Sequence, residues 1–221
     1  MSEKNGDNFE SGIFWELYKD LERGFQDFLE YVPYLPGNEI VYSFKLLNLI
    51  LSIGGHVDSA FKEMVRYPKF SGDDYCKEIL TKVKEKETVP ITLPLKAFEK
   101  IYKLSEKTVI SKFSPEREKV TPFKPRSARA QSPKWWKTYN DTKHDVGVNL
   151  KEANLQTARD ALAGAFLLNV IHIPGTLRLL KLGFLDLGEI PDWQTEEWIR
   201  KGTSFYGSIS TPVFFYDYEK N

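Results

Sequence analysis

A single cysteine, Cys76, serves the whole 221-residue chain. It excludes an intramolecular disulfide and any cysteine-based zinc site. A lone thiol, expected on a surface helix, suits a reducing cytosol. Histidine is almost as scarce. His56, His144 and His172 are the three present, and no two stand at the i, i+4 spacing of a helical metal site. Charge of one sign is also missing, since 31 Lys plus Arg balance 31 Asp plus Glu. The whole-molecule field therefore gives no argument for nucleic acid or membrane. The longest apolar run, Ala161 to Ile173, contains Asn169 and His172 and falls short of the ~20 residues that span a bilayer. The N-terminal MSEKNGDNFESG is polar and has no signal-type hydrophobic stretch. No phosphate-cradling glycine loop, nucleophile elbow or dinucleotide fingerprint occurs. These gaps predict a soluble, cytoplasmic protein that needs no metal or cofactor and has no membrane partner.

Aromatics are abundant: 15 Phe, 11 Tyr and 5 Trp. They can fill a sizeable core without cross-links. Apolar residues recur at offsets of three and four from Ile13 to Val32, including Phe14, Leu17, Tyr18, Leu21, Phe25, Phe28 and Leu29. This predicts an amphipathic helix with Ser11 as N-cap, ended by Pro33. A second helix is predicted from about Glu39 to Arg66, apolar nearly all round between Phe44 and Ile53. Gly54-Gly55 lies inside it, and each glycine costs ~1 kcal/mol there, so a kink or a close helix crossing is expected. A third helix, Asp73 to Lys86, carries an Asp N-cap and a solvated Lys/Glu face. Leu95 to Leu104 reads as helical, and Thr108 to Phe113 alternates like a short strand.

Ser114 to Pro133 holds four prolines and no periodicity, which predicts an extended loop. A short helix follows from about Lys134 to Asp145, with Gly147 marking the turn after it. The last long helix spans roughly Asn149 to Ile171 and is suited to close packing within a bundle. Beyond it, Ser210 to Tyr218 is β-prone, and Trp193 and Trp198 are expected to pin the region to the body. The fold class expected is all-α: a bundle of four to five helices over 13–172, with an irregular, partly β-prone C-terminal extension over 173–221.

Two features can carry chemistry. Between Lys112 and Lys137 stand eight basic residues, among them Lys124, Arg126, Arg129 and Lys134, against the acids Glu116 and Glu118. Phe123, Trp135 and Trp136 are interleaved with them. Cations on a loop attract phosphate, and flat rings stack on unpaired bases for ~1–3 kcal/mol each. An acidic excess after Gly183 offers an intramolecular partner for the same charge. The second feature is His144, the one histidine with charged residues on both sides, Lys143 and Asp145. Imidazole titrates near neutral pH and can take and give a proton. Lys137 and Asn140 lie on the same helical face as His144. His56 is expected as a hydrogen-bonded histidine in the core or at a helix crossing, and His172 as a helix C-terminal cation.

The stretch WWKTYNDTKHD, followed by NLKEANLQTARDALAGAFLL, resembles the C-terminal half of HEPN-superfamily proteins. The upstream SFKLLNLILSIGGHVDSAFKEM resembles their second helix. These are small helical bundles of prokaryotic toxin–antitoxin and antiviral systems, whose active members are metal-independent ribonucleases with a motif paired across a dimer. The resemblance implies His144 as general acid or base, Lys137 as the stabiliser of the phosphorane and Asn140 as the group orienting the phosphate. Asp58 would hold the imidazole. Lys143, Arg126, Arg129, Lys134, Trp135 and Trp136 would contact RNA. RNA, a second copy of the chain, and an antitoxin or defence-system protein are the partners implied. The position of the superfamily's arginine is taken here by Tyr139 or Lys137. The competing reading is a non-catalytic homodimeric interaction module.

Overall fold

A computed structural model of the chain describes residues 7–66, 70, 72–127, 131–171 and 208–217. Among them the architecture is mostly helical with one small antiparallel sheet. Helix α1, Asp7–Leu29, begins a turn before Ser11. It buries Trp15, Tyr18, Phe25 and Phe28, while Leu17, counted above on the apolar face, is 47% exposed. Helix α2, Phe44–Met64, is shorter than its apolar pattern predicts. Ser43 caps it by accepting from the Leu46 amide. Residues 39–42 are drawn off instead into backbone pairing, with the Leu155 and Gln156 amides donating to the Val41 and Glu39 carbonyls at 2.9 and 3.0 Å.

Helix α3, Asp74–Lys84, is capped by Asp73. Cys76 lies on its inward face, fully buried, and burial pushes its thiol up to about 12. The helix is at the surface; the thiol is not. Helix α4, Thr92–Tyr102, carries Pro94 in its first turn, where a missing amide proton costs nothing. Helix α5 is Lys134–His144. The final helical pattern divides in two. A short helix α6, Val146–Asn149, is capped by Asp145, and helix α7, Leu155–Ile171, starts afresh with the Asn154 side chain accepting from the Thr157 amide. Nearly every residue of α7 is buried, and it packs against α1, α2 and α5.

Four strands run in the order β2-β1-β4-β3: β1 Val109–Ser111, β2 Lys119–Val120, β3 Ser208–Ser210 and β4 Phe214–Asp217. Every pair is antiparallel, with Val109 opposite Val120 and Ile110 opposite Phe215. The β-prone tail is thus no loose appendage. Its hairpin completes a sheet seeded in mid-chain, and Phe214 stacks on Phe166 of α7 at 5.7 Å. Glu22 of α1 fastens that hairpin. Its buried carboxylate accepts from the Tyr18 hydroxyl at 2.8 Å, the Thr211 hydroxyl and the Val213 amide at 3.3 Å. Burial raises the pKa of this carboxyl. Trp193, Trp198 and His172 lie outside the described residues.

Candidate functional site

Helix α5 divides cleanly into two faces. Trp135, Trp136, Thr138, Tyr139 and Thr142 are buried, while Lys134, Lys137, Lys143 and His144 are exposed and Asn140 is half-buried. The Trp135 indole donates to the Pro122 carbonyl at 2.7 Å and meets Phe123 edge-on. A side-chain methyl at Gly164 would sit 3.0 Å from the same ring, so α7 approaches it closely. Trp136 packs between Trp135 and Tyr139. Large apolar side chains stabilise a fold by ~1.5–3 kcal/mol each when fully buried. Both indoles are therefore anchors, and the expectation that they stack on bases at the surface is corrected. Their burial also clips the basic loop to α5, helped by the Arg126 amide donating to the Ser132 carbonyl at 3.4 Å.

His144 ends α5 in solvent, without a hydrogen bond or ion pair among the described residues. The groups meant to converge on it do not. Lys137 forms an ion pair with Asp141, one turn along the same helix. Asp58 pairs with Lys62 within α2. The Lys143 ammonium leans over the Tyr139 ring at 5.7 Å. Asp145 accepts from the Val148 amide at 3.2 Å, starting the next helix. The single chain therefore presents an exposed imidazole among cations, and not an assembled catalytic constellation. Lys134, at the opposite end of α5, and Arg126 are exposed, and Arg129 lies outside the described residues.

The loop's charge is used unevenly. Lys112 donates to the Ser210 hydroxyl and Thr211 carbonyl at 2.9 and 2.8 Å, tying down the C-terminal hairpin. Glu118 is taken up by Arg159. With that acid engaged, Lys119, Lys124, Arg126 and Lys134 stand exposed to solvent.

Arg159 is the group that sequence reasoning passed over. It is 4% exposed and binds three partners: the Tyr34 hydroxyl, Glu118, and Asp160 at 2.7 Å. Its guanidinium also lies 5.1 Å from the Tyr34 ring centroid. Burial pushes the Tyr34 hydroxyl up to about 12 and raises the Asp160 carboxyl. An Arg-Asp pair inside the otherwise apolar LQTARDALAGAFLL was the available signal, because a buried charge requires partners. The cluster ties α7 to the α1–α2 connection and to the chain before β2.

His56 is a buried crossing-point histidine, as its setting beside the glycine pair suggested. Its Nε2 lies 3.2 Å from the Asn169 amide nitrogen, and Phe14 meets the ring edge-on. Burial lowers its pKa to about 4, so the ring is neutral at physiological pH. Among the described residues no three His, Cys, Asp or Glu side chains gather as a metal site requires, and no helix is long and apolar enough to cross a membrane. No protein-family model, curated protein or solved structure matches this chain.

Proposed function

We propose that this chain is a HEPN-like RNA-contacting protein of the defence or toxin–antitoxin kind. Its contact surface is the solvent face of α5 together with the basic loop clipped to it. The observation that carries this reading is the division of α5, whose entire open face is polar and includes Lys134, Lys137, Lys143 and His144. Cations on a rigid helix and an adjoining loop meet phosphates at known spacing, and their binding weakens steeply with salt. In the cleavage reaction the His144 imidazole takes the 2′-hydroxyl proton or donates one to the leaving oxygen. Lys143 offsets the phosphorane charge, and Lys137 does so only when released from Asp141. Because Asp58 and Lys137 are each paired within their own helices, the remaining groups of such a site have to come from a second copy of the chain or from the RNA itself.

Incubation of the purified protein with RNA in chelator tests the enzymatic part. Cleavage that is present in the wild type and abolished in His144→Ala supports it, and identical RNA profiles for the two proteins remove it. The second reading, a non-catalytic homodimeric module, draws on the same two ion pairs, Lys137–Asp141 and Asp58–Lys62. It is favoured where salt-sensitive RNA binding persists without cleavage, or where neither occurs and the chain dimerises.

A further inference from the structure

Between α3, α4 and the basic loop lies a pocket of about 460 Å3, within the ~300–1,000 Å3 typical of small-molecule sites. Its inner surface is apolar. Leu95, Leu104 and Phe123 line it and are all buried. Phe123 is held edge-on by Phe61 at 5.8 Å and by Trp135 at 5.9 Å, so this wall is rigid. Tyr75, 37% exposed, offers an accessible aromatic ring to the same space.

The charges around the pocket are not equivalent. Glu99 is engaged at both oxygens, accepting from the Ser105 amide at 2.7 Å and the Ser105 hydroxyl at 3.0 Å. Lys100 is paired with Asp73 at 2.9 Å. Lys96 has no carboxylate partner among the described residues, and its ammonium is held 5.5 Å from the Tyr75 ring centroid. Pro125 lines the pocket and is flanked in the chain by Lys124 and Arg126, both exposed. The pocket thus combines an apolar interior, a partly exposed aromatic ring beside a cation, and a lining in which Lys96 and Lys100 outnumber the one acid, Glu99. A planar aromatic group joined to an anion matches all of these.

We infer that this pocket binds a single nucleotide, with the base in the apolar interior beside Tyr75 and the phosphate at the rim near Lys96 and Arg126. The nucleotide is either free or an unpaired residue of an RNA strand. The second source rests on the RNA-contacting reading above, whereas the chemistry of the pocket does not. Base–aromatic stacking contributes enough for Tyr75→Ala to lower affinity about tenfold or more.

The test titrates wild type, Tyr75→Ala, Lys96→Gln and Gln131→Trp with nucleoside monophosphates, with the matching nucleosides, and with an unstructured RNA oligonucleotide. All three substitutions are at exposed positions, and circular dichroism checks that each variant keeps the fold. Support consists of monophosphate binding weakened about tenfold by Tyr75→Ala, of Lys96→Gln weakening monophosphates more than nucleosides, and of Gln131→Trp obstructing both. If the oligonucleotide shows the same losses, RNA is the source. If monophosphates bind and RNA does not, the pocket stands for a free nucleotide and the RNA reading fails. RNA binding that is unchanged in all three variants, with no monophosphate binding, overturns the pocket and leaves the RNA reading intact. If neither monophosphates nor the oligonucleotide bind, both readings are overturned.

Discussion

Gly54 of α2 lies directly under the ring of Tyr139 on α5: a methyl group at that position would come within 2.3 Å of Tyr139 Cδ2. The glycine lets the two backbones approach, and through them the helix that carries His144 is seated on the core. Gly55 has no such neighbour and opens onto free space.

These adjacent glycines give opposite outcomes on substitution. Gly54→Ala forces α5 away from α2 and destabilises by about 1–3 kcal/mol, the usual cost of overpacking. Gly55→Ala stabilises by roughly 0.5–1 kcal/mol, since alanine is the better helix former. Urea denaturation of the two variants side by side checks this, and equal losses in both would show that the crossing does not depend on Gly54.

His56 makes stability depend on pH. In the unfolded chain it takes up a proton below about 6.5, whereas the folded chain resists until about 4. The unfolded state therefore binds more protons within that window. Stability is complete above the upper value and is lost as pH falls through the window, by about 3 kcal/mol in total. His56→Gln keeps an acceptor for the Asn169 amide and removes the titration. Its stability, followed between pH 7 and 4, should decline less than that of the wild type; parallel curves would refute the assignment.

Glu22 separates hydrogen bonding from charge. Glu22→Gln retains an oxygen to accept from Tyr18, Thr211 and Val213, and it removes the cost of a buried charge, so its stability stays within about 1 kcal/mol of wild type or rises. Glu22→Ala removes the shared acceptor of three buried donors, of which Thr211 keeps a long bond to the Phe214 carbonyl at 3.4 Å, and costs about 3 kcal/mol. Hydrogen exchange at the Val213 amide should accelerate in the alanine variant alone. Equal exchange in both variants would show that the hairpin is held by packing against Phe166.

The face of α5 can be probed by releasing a cation. Asp141→Asn frees Lys137 from its ion pair, so RNA affinity rises and the slope of log K against log salt steepens by about one unit. Lys134→Gln flattens the slope by a similar amount. Anisotropy titrations across a salt series measure both. Unchanged slopes would move the RNA contact away from this helix.

Several elements were legible because their signals are local. An aspartate cap on α3, the amphipathic face of α1 and a short strand within Thr108 to Phe113 follow from spacing and residue type alone, and the structure assigns the cap to Asp73 and the strand to Val109–Ser111. The α2 start was misplaced because Glu39 to Tyr42 pair with the backbone of 154–156, a contact that only the folded chain creates. The long C-terminal helix divides at Asn154 because a side-chain cap there outweighs an apolar pattern that runs straight through it. At the candidate site, the exposed cations of α5 could be read from helical spacing. The pairing of Lys137 with Asp141 and of Asp58 with Lys62 was also allowed by i, i+4 spacing, and choosing between that and convergence on His144 required coordinates.

By itself, the sequence determined that the chain builds helices around an aromatic-rich core, that a basic loop precedes α5, and that one histidine stands at the end of that helix among charges. Periodicity and composition are properties of neighbouring residues, and they survive without knowledge of the rest. The tertiary structure decided that Trp135 and Trp136 face inward, that Arg159 joins two distant partners, Tyr34 and Glu118, and that the tail completes a sheet with β1. Each of these depends on groups far apart in the chain meeting in space, where burial makes an unpaired charge costly and an apolar ring favourable.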